Sequence, residues 1–246
     1  MTHNAIVLTA TVHDPVGRLA AATHRLAGPL RRIFPDIALN ISDATTPEVV
    51  AALETLGATI MIHAAGESVI GKARRDAVGM AGGRPALYAD FDHMLRWVEF
   101  DPDDLGRVLA TLPEADMLVV GRSPGALARE PQRLQQSERL VNHIHGLLTG
   151  ESWDLMFAIR RLSPAAAKLI VESSKVDTLA NDVEWPLLVR AAELSLGYAE
   201  SDALFYRTIE EFGDAADGGD QEPLQWIRRL EFAAQHASAM RPFLRG

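Results

Sequence analysis

Residues 58–92 read ATIMIHAAGESVIGKARRDAVGMAGGRPALYADFD, and the architecture is already visible in them. An apolar run at 58–65 gives way to a helix-length amphipathic segment at 71–80. A second apolar run at 85–90 then stops on Asp90-Phe91-Asp92. Strand, helix, strand at these lengths is a βαβ unit, in which parallel strands covered on both faces read as nearly unbroken hydrophobic runs. The alternation continues on both sides. Apolar runs at 5–12, 37–42 and 115–120 supply further strands, and segments 15–34, 47–56 and 103–112 supply helices between them. The expected class is α/β: a Rossmann-like, mostly parallel sheet flanked by helices. The strand-to-helix turns of such a sheet gather at one edge, where open α/β folds bind ligands.

The second half is less regular. Segment 130–148 reads as a charged amphipathic helix, and 153–159 and 198–206 read as strands, the latter outside the parallel order. Asn181-Asp182-Val183-Glu184 opens another helix, in which Pro186 is acceptable only within the first turn. Residues 213–222, GDAADGGDQE, read as an acidic flexible loop, and 224–240 as a last amphipathic helix. The expected organisation is one domain over 1–212, with the acidic loop and C-terminal helix of 213–246 packed on it.

Composition narrows the chemistry. The chain has 246 residues, 48% of them hydrophobic, enough for a sizeable core without staples. Thirty-three acids against 24 Lys plus Arg give a net charge of −9, which opposes a global electrostatic grip on nucleic acid. With no Cys, disulfides, thiolate nucleophiles and iron–sulfur clusters are excluded. The apolar run near the start is too short to span a bilayer and lacks a charged leader. A soluble cytoplasmic protein is expected, with peripheral contact to a membrane left open.

The chemistry-bearing residues cluster at predicted strand ends and helix starts. Asp90 and Asp92 end an apolar strand, where a turn can bring two carboxylates together on a hard divalent cation that holds a diphosphate. Such pairs also cap helices. Gly71-Lys72-Ala73-Arg74-Arg75 opens the preceding helix, and its free N–H groups and cations suit a diphosphate, though a solvated basic face reads the same way. Asp43 follows the second strand and suits a base or ribose contact, or the cap of the next helix. Asp182 and Glu184 suit a general base, or the electrostatics of a helix start. His143 and His145 lie two apart on a predicted helix and point in different directions, unlike a paired metal site.

In this order the motifs resemble those of the nucleotide-sugar glycosyltransferases of the GT-A fold, nearest to the large inverting family that includes the polyprenol-phosphate sugar transferases. Thr11-Val12-His13-Asp14 stands at that family's first turn, Ser42-Asp43 at its second, Gly71-Lys72-Ala73-Arg74 at its helix start and Asp90-Phe91-Asp92 at its Asp-x-Asp. Downstream, residues 115–122, ending in Gly121-Arg122, are similar to its strand ending in Gly and Arg. Arg133, Ser137 and Asn142 are similar to its Arg/Ser/Asn helix, and Asn181-Asp182-Val183-Glu184 to its acceptor-side acidic motif. The likeness spans about residues 5–208.

The resemblance implies transfer of a sugar from a UDP- or GDP-linked donor to an unknown acceptor, with inversion. It implies Mg²⁺ or Mn²⁺ held by Asp90 and Asp92, and donor contacts from Thr11, His13, Asp43, Lys72, Arg74 and Asp90. Asp182, with Glu184 beside it, is implied as catalytic base for a hydroxyl acceptor; a phosphate acceptor needs no such base and would instead be held by Arg122 and Arg133. The chain departs from the family at His13-Asp14, Ser42-Asp43 and Asn181, where Asn-Glu and paired acids are usual. Those departures keep open a non-catalytic nucleotide-sugar-binding protein. A nucleotidyltransferase fits less well, because the start lacks a Gly-rich loop followed by Arg-Lys. A haloacid-type phosphatase fits poorly, because the Asp-x-Asp follows the fourth strand rather than the first.

Overall fold

A computed structural model describes residues 6–205 and 218–244. Seven strands form one sheet: β1 (Val7–Val12), β2 (Ile37–Ser42), β3 (Thr59–His63), β4 (Ala86–Asp90), β5 (Met117–Arg122), β6 (Ile159–Leu162) and β7 (Leu196–Ser201). Their order is β3-β2-β1-β4-β6-β5-β7. Strands β1 to β4 pair in parallel, as do β5 and β7, while β6 runs antiparallel to both β4 and β5. The helices are α1 (Leu19–Ile33), α2 (Pro47–Glu54), α3 (Ile70–Gly79), α4 (Phe91–Phe100), α5 (Pro102–Leu109), α6 (Pro124–Leu127), α7 (Gln132–Thr149), α8 (Pro164–Ser173), α9 (Asn181–Ala191) and α10 (Pro223–Met240).

Alternate residues of the central strands feed two cores, as the period of two in a strand requires. Leu8, Ala10, Leu39, Leu87, Leu118 and Val120 pack under α1, α2, α4 and α5. Val7, Ala38, Tyr88, Met117 and Val119 pack on the other face with residues of α3, α8, α9 and α10. No helix among the described residues is long and apolar enough to cross a membrane.

Four expectations are corrected. Helix α4 follows Asp90 directly, so the Asp-x-Asp pair straddles a strand end and a helix start rather than a loop. Phe91, Met94, Leu95, Trp97 and Val98 are its buried stripe. Segment 153–159 is not a strand, since β6 begins only at Ile159. The strand expected outside the parallel order, β7, lies parallel beside β5, and β6 is the antiparallel member. Residues 213–217 of the expected acidic loop lie outside the described residues.

Pro186 supplies the fourth correction, because it sits inside α9 beyond the first turn. A proline there removes an N–H from the helical ladder and leaves the carbonyl four residues earlier, that of Asp182, without its partner. Arg160 Nη2 donates to that carbonyl at 3.0 Å. A buried arginine of β6 thus takes the place of the missing helical donor.

The start of α3 is tied to the loop before α9. Gly71 N donates to Asp177 O at 2.8 Å, and a Cβ at Gly71 would lie 2.4 Å from Val176 O and 2.6 Å from Thr178 O. Both obstacles are backbone. Gly71→Ala is therefore expected to cost about 1–3 kcal/mol through forced displacement of that loop. Urea denaturation checks this, and an unchanged midpoint would contradict the close approach.

Candidate active site

Arg74 organises the site. It lies on the buried face of α3 with its guanidinium under the C-terminal edge of the sheet. Its Nη2 donates to Asp90 Oδ2 at 2.7 Å, and its Nη1 donates to Asp182 Oδ1 and Asn181 Oδ1, each at 2.9 Å. One cation therefore joins the end of β4 to the start of α9. Burial alone would lower the affinity of this guanidinium for its proton, but Asp182 and then Asp90 outweigh it and raise the pKa well above the usual arginine value.

Asp90 is held from both sides. Its Oδ1 accepts from the Tyr88 hydroxyl at 2.7 Å and the Thr11 hydroxyl at 2.9 Å. Burial would push its pKa up, yet Arg74 first, then His93 and the Tyr88 hydrogen bond, hold it below the ordinary carboxylate value. It is ionised at neutral pH. Asp92, in the first turn of α4, is 26% exposed and pairs with Arg96 Nη1 at 3.0 Å, with His93 Nε2 3.9 Å away.

These groups line a cleft of about 850 Å³ with Arg74, Asp90, Asp92, His93 and Asp182 along it. Its other wall is α10, which contributes Gln225, Arg228, Arg229, Phe232 and His236 at spacings that share one helical face. The helix is anchored just before its start and again in its second turn. Asp220, just before α10, accepts from Gln132 N at 2.8 Å and from Arg133 Nη1 at 2.8 Å, and Arg229 Nη2 bonds Glu138 Oε1 at 2.6 Å.

Several residues expected at the site lie elsewhere or are committed to the fold. Lys72 is 59% exposed and pairs with Asp76 on the outer face of α3, outside the cleft. The diphosphate cradle expected at Gly71 is filled by the loop carbonyls described above. Glu184 Oε1 accepts from Lys175 N at 2.7 Å and Val176 N at 3.2 Å, and its Oε2 accepts from the Ser174 hydroxyl. It therefore caps the loop between α8 and α9 and does not face the cleft. Positions two apart on a helix diverge, so only one of the pair Asp182 and Glu184 can reach the site.

Arg122 reaches the cleft wall, but its guanidinium is 2% exposed and taken up by Asp154, Glu130 and Glu138. Four of its five N–H groups are taken by these carboxylates, which makes it a structural hub. Arg133 borders the cleft and is engaged with Asp220, where it fixes the approach to α10. His13 bonds Ser42 Oγ at 3.0 Å and borders an adjoining pocket with Thr11 and Asp92. Asp14 is spent on the N–H groups of Val16, Gly17 and Leu19 at the start of α1. Asp43 does not cap α2, whose N-cap is Thr46, and instead accepts from Ala65 N at 2.8 Å beyond β3.

Two buried residues have roles that the sequence does not mark. Nothing in Arg160-Arg161-Leu162-Ser163 identifies a buried strand. His236 is buried in the C-terminal helix and lines the cleft, and nothing in the sequence around it marks that position.

No protein-family model and no curated protein matches the chain. Solved structures do. It is similar to glucosyl-3-phosphoglycerate synthase from Mycobacterium tuberculosis crystallised with UDP, at 9% identity and a TM-score of 0.58, over 92% of this chain and 80% of that one. The same synthase with Mn²⁺, UDP-glucose and phosphoglyceric acid matches at 11% identity and a TM-score of 0.56, over 92% and 79%. With Mn²⁺, UDP and phosphoglyceric acid it matches at 11% and 0.53, over 94% and 78%. At this identity the shared property is the fold alone. The protein has the GT-A fold.

Proposed function

We propose that the chain is a metal-dependent glycosyltransferase that moves a sugar from a nucleotide-diphosphate sugar to an acceptor hydroxyl. The observation that carries this reading is the single guanidinium of Arg74 joining Asp90, on the donor side, to Asp182, on the acceptor side, along one cleft at the sheet's C-terminal edge. The fold's solved relatives carry uridine nucleotides, Mn²⁺ and a small phosphorylated acid in their crystals, which supports UDP-sugars as the first donors to test and a water-soluble acceptor.

The residues suit a hard cation of the kind that keeps its waters and borrows phosphate oxygens. Among the described residues no group of three His, Cys, Asp or Glu side chains forms a closed cage. Mg²⁺ and Mn²⁺ on a diphosphate need only one or two carboxylates from the protein. Asp92 offers the more open carboxylate. Asp90 is ionised, and its three donors leave one of about four lone-pair sites over. When bound, the cation would neutralise charge on the departing diphosphate. Arg74 holds both acids in place, and Asp182 stands beside the attacking hydroxyl. In-line attack from that side inverts the anomeric centre.

A specific observation favours the binding-protein alternative. Asp14 and Asp43, which stand at the donor-contacting turns, are both spent on backbone N–H groups. One experiment separates the readings. Thermal shift with UDP-, GDP- and dTDP-sugars, with and without Mn²⁺, is expected to show metal-dependent stabilisation. At a hundredfold excess over Kd this is about 2.7 kcal/mol, which is roughly 5–10 °C for a chain of this size. Asp92→Ala is expected to remove the metal-dependent part, and Asp90→Ala most of it. Binding unchanged in both variants rejects the metal assignment. Donor binding without transfer to any acceptor, or to water, favours the binding protein.

A further inference from the structure

The His236 side chain is 1% exposed, borders the cleft, and is unused by the chemistry described so far. Its Nδ1 lies 2.6 Å from Phe232 O, one turn earlier in α10. A carbonyl only accepts, so that contact fixes the proton on Nδ1 and leaves Nε2 with its lone pair. Nε2 is buried and has no hydrogen-bond partner among the described residues. It faces Asp182 Oδ2 at 4.0 Å, too far for a hydrogen bond. A lone pair left open in this way, on a ring whose tautomer is set from behind, is how a base waits for a substrate proton.

The neighbouring charges point the same way. Asp182 Oδ1 is occupied by Arg74, and the Asp182 carbonyl by Arg160, so this acid is already compensated by cations. On α7 and α10, Glu138 is shared between Arg229 and Arg122. The remaining oxygen of Asp182 is therefore placed to stabilise positive charge on His236 rather than to take a proton itself.

We propose that His236 is the catalytic base of this site and Asp182 its electrostatic partner, an assignment that rests on the glycosyltransferase reading. The acceptor oxygen forms the new bond to the anomeric carbon as its proton passes to His236 Nε2. The bond from the anomeric carbon to the diphosphate oxygen breaks, and its electron pair leaves with the nucleoside diphosphate. The imidazolium then stands against Asp182.

The test uses the full chain with UDP-glucose and Mn²⁺ and water as acceptor, measuring donor binding and release of glucose separately. His236→Ala is expected to bind the donor within about threefold of the parent and to release glucose at least about 100-fold more slowly, the usual contribution of a general base. Added imidazole is expected to restore turnover in His236→Ala. His236→Gln, which fills the space without a basic nitrogen, is expected to stay slow, and it keeps the test valid if the alanine variant fails to fold. Parent-like glucose release in either variant overturns the proposal, as does recovery by glutamine without recovery by imidazole. Failure of the glycosyltransferase reading looks different: the parent protein itself shows no metal-dependent binding of any nucleotide sugar, or binds the donor and transfers to neither acceptor nor water.

Discussion

Arg74→Met is expected to destabilise the protein by about 3–5 kcal/mol and to abolish donor binding in whatever fraction still folds. The size follows from what the guanidinium leaves behind. Asp90 and Asp182 lie together at the cleft floor, and removing one member of a buried charge network strands the others without a counter-ion. Methionine fills the volume of the arginine stem, so the loss reads as electrostatic rather than as a cavity. Chemical denaturation checks the stability, and thermal shift with UDP-glucose and Mn²⁺ checks the binding. Asp90→Asn in the Arg74→Met background is expected to recover part of the stability, because one of the stranded charges is then gone. A variant as stable as the parent would show that Arg74 does not bridge the two acids.

Arg122→Met is expected to cost a similar 3–5 kcal/mol but for a different reason and with a different pH signature. Here three carboxylates converge on one guanidinium. Nε bonds Asp154 at 2.7 Å, Nη1 reaches Glu130 at 3.2 Å, and Nη2 bonds Glu138. Burial would raise the pKa of Asp154, but Arg122 outweighs it, helped by Asn142, and holds it below the usual carboxylate value. A depressed folded pKa stabilises the fold above the unfolded value near 3.8, and that stabilisation is lost as pH falls through the folded pKa. In the variant the guanidinium is absent and desolvation governs, so Asp154 takes up a proton more readily in the fold than out of it. The stability gap between parent and variant should therefore be widest near neutral pH and narrow as pH drops towards 4. Urea midpoints measured across that range decide it, and a gap independent of pH would rule out the carboxylate cluster as its source.

The contrast between the two arginines shows where reading the sequence succeeds. Arg74 stood in the right motif and its partners were at hand, because α3, β4 and the start of α9 are all marked by their local patterns. Arg122 was also in a recognisable place, at the end of β5. Its role depended on Glu130, Glu138 and Asp154, whose approach is set by how α7 and the segment before β6 fold back. Helix α8 was not read from the sequence, although Ser163 caps Ala166 N and Pro164 occupies the first turn. Helix α4 was hidden by its own first residues, which were read for their carboxylates and not for the stripe of Phe91, Met94, Leu95 and Val98.

Strand periodicity, helix length and the position of Asp90-Phe91-Asp92 at a strand end are local properties. From them followed the α/β class, the parallel start of the sheet and the edge at which ligands gather, because backbone hydrogen bonding and burial act over a few residues at a time. The direction of β6 and the partner of β7 are not local. Nor are the sorting of Asp182 into the cleft and Glu184 away from it, or the arrival of His236 beside Asp182 from 54 positions along the chain. Those depend on which surfaces meet after the chain has folded back, where a buried charge is tolerated only if another distant residue happens to neutralise it.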